Sequence, residues 1–207
     1  MTRIKGVIFD LGGVVVEWDP MLLYRKLFRD EGGAADFLAR IGTPEWNEKQ
    51  DAGRTLADGT AELLARFPGW EKEIHAYYGR WIEMIGGLVP GTGAVIRELK
   101  AAGVHVFALS NWSRETFPQV ADRFEELRLF EQIVLSGYHG CAKPDARLYR
   151  IALERFAMPA QSLVFVDDSP RNVAGAEAAG IRALLFTGAD KLRSDLCALG
   201  LPLAHDP

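Results

Sequence analysis

Five short apolar runs are set along this chain: Ile4–Phe9, Val104–Leu109, Gln132–Leu135, Leu163–Val166 and Ile181–Phe186. They are continuous in Val, Ile, Leu and Phe rather than alternating with polar residues. A strand with one wet face alternates, whereas a continuous run fits a strand covered on both faces, as in a parallel sheet. Helical patterns separate several of the runs. Pro90–Ala102 places Val95, Ile96 and Leu99 on one face and stops at Gly103. Asp145–Ala157 aligns Leu148, Ala152 and Phe156, with Asp145 near its start. Ser169–Ala179 opens with a cap residue and a first-turn proline and closes at Gly180. Alternation of this kind predicts an α/β fold built on a doubly wound parallel sheet.

The stretch from Trp18 to Leu88 breaks the alternation. Leu22, Leu23, Leu27 and Phe28 recur at helical spacing, as do Leu63, Leu64 and Phe67, and no strand stands out. Roughly seventy residues between two strands are too many for a simple crossover. The expectation is an α-helical cap spanning 18–88, inserted into a core made of 1–17 and 89–207. The hinges fall near Glu17–Pro20 and Gly86–Gly91, where Gly and Pro cluster.

Composition narrows the function. A net charge of −4 without a Lys/Arg stripe argues against nucleic acid or an anionic membrane as partner. Cys141 and Cys197, the two cysteines, make no disulfide framework, so a cytoplasmic setting is expected. The N-terminal apolar run is interrupted by Asp10 and no small-residue cleavage site follows, which reads as a buried strand and not a signal peptide. No run approaches the ~18 apolar residues that a membrane span needs. The protein is expected as a monomer or homodimer.

In open parallel sheets, ligands bind beyond the carboxyl ends of the strands. The first run ends in Asp10-Leu-Gly-Gly, the second in Ser110-Asn111 and the fourth in Asp167-Asp168, and the loop after the third carries Lys143-Pro144-Asp145. Magnesium takes oxygen ligands, a few carboxylates plus substrate phosphate. Asp10, Asp168 and Asp167 would supply the carboxylates, and a divalent cation would relieve their repulsion. Ser110, Asn111 and Lys143 offer hydrogen bonds and charge to phosphate oxygens. A carboxylate that also faces phosphorus is a nucleophile.

FDLGG at 9–13, SN at 110–111, KPD at 143–145 and VDD at 166–168 resemble the four motifs of the HAD (haloacid dehalogenase-like) hydrolase superfamily, in order and over the whole chain. The resemblance implies a HAD-like Rossmannoid sheet of order 5-4-1-2-3 with a cap after the first motif. It implies a magnesium-dependent phosphatase in which Asp10 is nucleophile and metal ligand. Gly12 would ligate through its carbonyl, Asp168 directly, and Asp167 directly or through a neighbour. Ser110 and Lys143 would bind the phosphoryl group of a small phosphorylated metabolite.

One departure matters. Most phosphatases of the superfamily carry a second aspartate two residues after the nucleophile, and here that position is Gly12. General acid–base help is worth ~10²–10⁴-fold. Three readings follow. The chain is a phosphatase for substrates with good leaving groups, resembling a bacterial sugar-phosphate branch with FDLG in its first motif, the proton coming from Glu17, Asp19 or a cap residue. Alternatively it is a metal-free haloacid dehalogenase, or a phosphonate hydrolase using Lys26, Lys49 or Lys72. Finally, it is a weakly active or non-catalytic binding protein. Trp18, Trp46, Arg25, Arg54, His139 and Asn172 are secondary candidates for the site. His105 reads as a core histidine, Cys141 as a loop residue and Arg123–Arg128 as a solvated helix face.

Overall fold

The computed structural model describes residues 3–203. The outermost residues of the expected core ranges, 1–2 and 204–207, lie outside the described residues. β1 (Gly6–Phe9) leads into a short strand β2 (Val16–Trp18). Five helices follow: α1 (Met21–Tyr24), α2 (Glu31–Arg40), α3 (Pro44–Asp51), α4 (Leu56–Arg66) and α5 (Glu71–Gly79). β3 (Ile85–Leu88) and α6 (Thr92–Ala101) lead to β4 (His105–Ser110) and β5 (Gln132–Leu135). α7 (Ala146–Phe156), β6 (Leu163–Asp167), α8 (Pro170–Ala178), β7 (Arg182–Leu185) and α9 (Ala189–Ala198) complete the described chain.

The main sheet has the order β5-β4-β1-β6-β7, parallel throughout. This is the strand order that the resemblance implies, read from the opposite edge. β1 is central, with Gly6 in register with His105 on one side and Leu163 on the other. Alternate side chains of β1 feed opposite faces, as the period of a strand requires. Val7 and Phe9 pack with Val95, Ile96 and Leu99 of α6 and with Leu192 and Leu196 of α9. Ile8 packs with Leu148, Tyr149, Ala152 and Phe156 of α7 and Ala176 of α8. Both faces are dry, which is why the strands read as unbroken apolar runs.

The helices between β2 and β3 join the first of these clusters through Leu23, Tyr24, Phe37, Trp46 and Tyr77. Their starts are set by local chemistry. Asp30, Thr43 and Thr55 accept backbone N–H groups at the N-termini of α2, α3 and α4. The strandless expectation for 18–88 is corrected here. β2 and β3 form an antiparallel ribbon pairing Val16 with Leu88 and Glu17 with Gly87. Ile-Gly-Gly-Leu carries too little side chain to announce a strand. Two smaller corrections follow. His105 is exposed and faces Glu131 at 3.0 Å, because it opens β4 where the sheet meets solvent. Arg123–Arg128 is no α-helix: it ends in a 3-10 turn, Glu125–Leu129, in which Glu126 is buried and paired with Arg97.

Phe165 of β6 is fully buried, edge-on to Tyr149 at 5.9 Å, and its ring centroid lies 5.1 Å from Lys143 Nζ. Phe165→Ala is expected to cost about 3–5 kcal/mol of unfolding free energy. Urea denaturation at unchanged slope would show it; a loss below about 1 kcal/mol would mean the core there can collapse.

Candidate active site

The carboxyl ends of β4, β1 and β6 stand side by side, so their terminal residues meet. Asp10 follows β1, and its backbone N–H donates to Val166 O at 2.8 Å. Its Oδ1 accepts from Leu11 N–H at 2.6 Å and from the Ser110 hydroxyl at 2.7 Å. Lys143 Nζ lies 3.0 Å from Asp10 Oδ1, 2.6 Å from Asp167 Oδ2 and 2.9 Å from Leu109 O. The lysine is 1% exposed, and its three protons find three acceptors. Asp167, also fully buried, accepts from Ser169 N–H at 2.8 Å and from the Asn172 amide at 3.1 and 3.2 Å.

Oxygens of Asp10, Asp167 and Asp168 lie within 4.8 Å of one another. Burial and the neighbouring Asp167 push the Asp10 carboxyl well up, against the opposing pull of Lys143. Asp168 is raised by burial and by Asp167. The three carboxylates face one ammonium, which leaves two negative charges when all are ionised. Asn172 Oδ1, buried beside them, has no hydrogen-bond partner. An all-oxygen set with this surplus suits a hard divalent cation such as magnesium. The backbone makes room for it. Gly13 has φ +75°, and a Cβ there would collide with Asp168 Oδ2. Gly12 is different: a Cβ there meets nothing within 4 Å.

A cavity of ≈ 320 Å³ opens over this cluster. Asp10, Gly12, Ser110, Asn111 and Asp168 form part of its floor, and Trp18, Tyr78, Trp81 and Trp112 give it aromatic walls. Asn111 lines the cavity, but both ends of its amide are taken by the backbone of Lys143, at 2.8 and 3.0 Å. It therefore ties the loop after β4 to the loop after β5. Among the other sequence candidates, Trp18 and Asn172 line the cavity. Trp46 is core, edge-on to Tyr77, and its indole N–H donates to Gly59 O at 3.0 Å. Arg54 pairs with Glu62 and Arg25 with Glu31. Glu17 is exposed, Asp19 accepts from Met21 N–H, and neither is among the residues lining the cavity.

Four charged or amide-bearing cavity residues escaped the sequence reading: Asn47, Glu48 and Asp51 from α3, and Arg171 from α8. Arg171 pairs with Glu48 at 2.6 Å across the mouth between those helices. Asn47 and Asp51 are four apart and so share a helix face. That spacing was available in the sequence, but which face meets the core was not.

A parallel sheet wound on both faces, with an acidic cluster and a buried lysine at its carboxyl edge, defines a hydrolase fold and site of one class. The sequence pattern of the haloacid dehalogenase-like hydrolases matches residues 4–180, and the chain belongs to that family. It is similar to sesquiterpene phosphatase astK of Aspergillus oryzae, 31% identical over 191 residues, covering 90% of this chain and 91% of that protein. It is also similar to a phosphoglycolate phosphatase of Cereibacter sphaeroides, 32% identical over 193 residues, with 88% of this chain and 84% of that one covered. The fold matches a HAD family enzyme of Bacteroides thetaiotaomicron solved with magnesium and inorganic phosphate. That match has a TM-score of 0.67 and 18% identity, covering 89% of this chain and 95% of that one.

Two expected outcomes test this geometry. Removing one partner of a buried ion pair strands the other, at about 3–5 kcal/mol. Lys143→Ala should lose about that much, and distinctly less than the sum of single losses when Asp167→Asn is added, in a denaturation cycle run with EDTA; additive losses would show no coupling. The second concerns pH. Asp10 binds its proton more tightly folded than unfolded, so its contribution is full below the ordinary carboxylate range and is lost as pH rises through its raised folded value. Without metal, the melting temperature of wild type should therefore fall relative to Asp10→Asn between pH 5 and 8. A constant difference would contradict the raised value.

Proposed function

We propose that this hydrolase is a magnesium-dependent phosphatase that transfers the phosphoryl group of a small monoester to Asp10 and then to water. The observation that carries the reading is the position of Asp10, held between Ser110 and Lys143 on one side and Asp167 and Asp168 on the other. Asp10 and Asp168, with the Gly12 carbonyl, would hold magnesium, and Asp167 would anchor Lys143. When bound, the metal supplies Lewis-acid polarisation of a phosphate oxygen. Asp10 attacks phosphorus with a carboxylate oxygen, while the Ser110 hydroxyl and the Lys143 ammonium stabilise charge on the phosphoryl oxygens. Asn111 keeps the serine and lysine loops in mutual register.

Residues 18–88 are read as a cap on a core of 1–17 and 89–207. Arg171–Glu48 is a contact between the two parts. A cap excludes water and sets specificity. The cavity walls argue for a substrate whose organic part carries no second negative charge. Among the described residues that line the cavity the cation is Arg171, and it is already paired with Glu48, so none is left to receive one. The aromatic walls suit a sugar face or a short hydrocarbon chain alike, so a sugar phosphate remains within the class. A dehalogenase that works without metal would have no use for three carboxylates crowded at one point.

A screen with magnesium and with EDTA tests this. Turnover of sugar 1-phosphates or short prenyl monophosphates is expected with magnesium alone, and phosphoglycolate is expected to be a poor substrate. Asp10→Asn should abolish turnover while remaining folded by circular dichroism. Chloride release from 2-haloacids in EDTA, or no turnover of any ester, would overturn the reading.

A further inference from the structure

We propose that Asp51, the last residue of α3, is the catalytic general acid and base that the first motif lacks at Gly12. The proposal rests on the phosphatase reading above.

Position comes first. Asp51 lines the same cavity as Asp10 and Gly12. It is fastened at two points to the segments that follow β4 and β5, and at a third to its own helix. Its Oδ1 accepts from Ser113 N–H at 3.1 Å, two residues beyond Asn111. Its backbone carbonyl accepts from the Ser136 hydroxyl, and that hydroxyl in turn accepts from Trp112 N–H at 3.0 Å. Its Oδ2 accepts from the Asn47 amide at 2.8 Å. Asn47 is fixed by the Tyr78 hydroxyl at 2.9 Å, and that hydroxyl by the Gln50 amide at 2.8 Å. A carboxyl held by a chain of three side chains is oriented, not merely present.

Charge state comes second. The charges that act on Asp51 are Glu48, on its own helix, and Asp10, at the end of β1, and both are negative. From α5 it is faced by Tyr77 and Tyr78, whose phenols are held neutral by burial. Burial, then Glu48 and Asp10, push its carboxyl up to about 8, against the pull of the Ser113 N–H. At neutral pH it holds a proton that it can give away, which Glu17 and Asp19 are not placed to do.

The chemistry balances. An Asp10 oxygen forms a bond to phosphorus as the ester P–O bond breaks. The electron pair of that bond stays on the leaving oxygen, which takes the proton of Asp51 and departs as an alcohol. Asp51, now a carboxylate, takes a proton from the water that attacks the phosphoaspartate. The new P–O bond forms, the bond to Asp10 breaks, inorganic phosphate leaves, and Asp51 is protonated again. Gly12 lines the same cavity, and a Cβ there would meet nothing within 4 Å, so an aspartate can be introduced at that position as a test.

The experiment compares an alkyl phosphate, whose leaving oxygen needs a proton, with p-nitrophenyl phosphate, whose leaving group does not. Asp51→Asn should lower kcat for the alkyl ester by about 10²–10⁴-fold and phosphorylation by the nitrophenyl ester far less, measured as burst rates at saturating substrate. Gly12→Asp added to Asp51→Asn should restore most of the alkyl-ester rate. In wild type, which needs no variant to fold, the alkyl-ester rate should fall above about pH 8 and the nitrophenyl burst should not. Equal losses on both esters, no rescue, or matching pH profiles would overturn the assignment of Asp51. A wild-type protein that turns over neither ester, with or without magnesium, would overturn the phosphatase reading itself.

Discussion

The buried ammonium of Lys143 is the interaction on which the rest of the site depends. A lone charge in that position would be prohibitive, and so would the carboxylates without it. The solution is geometric. Lys143 reaches the carbonyl of Leu109 from β4, the carboxylate of Asp10 after β1 and that of Asp167 at the end of β6. Those three strands are neighbours in the sheet, so the ends of three strands far apart in sequence present acceptors within one side chain's reach. Parallel pairing is what brings all three carboxyl ends to the same edge. An antiparallel neighbour would have turned one of them to the far side.

The same cluster is unbalanced on its own. Lys143 offsets one carboxylate of three, and Asp10 remains pushed up by burial and by Asp167. Under the proposed function a divalent cation would restore neutrality and lower the carboxyl's proton affinity, so that metal loading and the readiness of Asp10 would be one event. The helices between β2 and β3 then set the conditions under which it works. They and the turn after them bring Tyr78 and Trp81 to the cavity, and a closed cap there would exclude water and strengthen the electrostatic interactions beneath it.

What the sequence carries well is whatever is local. The ends of β1, β4 and β6 were legible because a continuous apolar run followed by a polar cluster needs no knowledge of the partner strand. Asp10, Ser110, Asp167 and Asp168 are legible that way and Lys143 in the longer loop after β5, and the structure brings them together. What it carries poorly is direction. Asn111 was taken for a phosphate contact, yet both of its polar ends face the backbone of Lys143. Asp51 sits among the polar residues of α3, a helix whose pattern shows no dominant apolar face. Which of its faces meets the core is decided by Trp46 packing on Tyr77 and by Ser136, residues about thirty and ninety positions away. The β2–β3 ribbon was missed for a related reason, since its glycines leave the backbone pairing to be fixed by the elements on either side.

The two adjacent glycines of the first motif make the point in miniature. Gly13 is required by shape: its backbone lies in the left-handed region, and Asp168 occupies the space where a side chain would stand. Gly12 is under no such constraint, because a Cβ there would meet nothing within 4 Å. Glycine at position 12 is therefore a chemical choice and not a conformational one. An acid there would add a further carboxyl beside Asp10, whose own carboxyl is already raised by its neighbour Asp167. A proton carried by Asp51 on α3, as proposed, would avoid that crowding. It would also tie proton transfer to the packing of α3 against the loop after β4, because the carboxyl of Asp51 accepts from Ser113 as well as from Asn47.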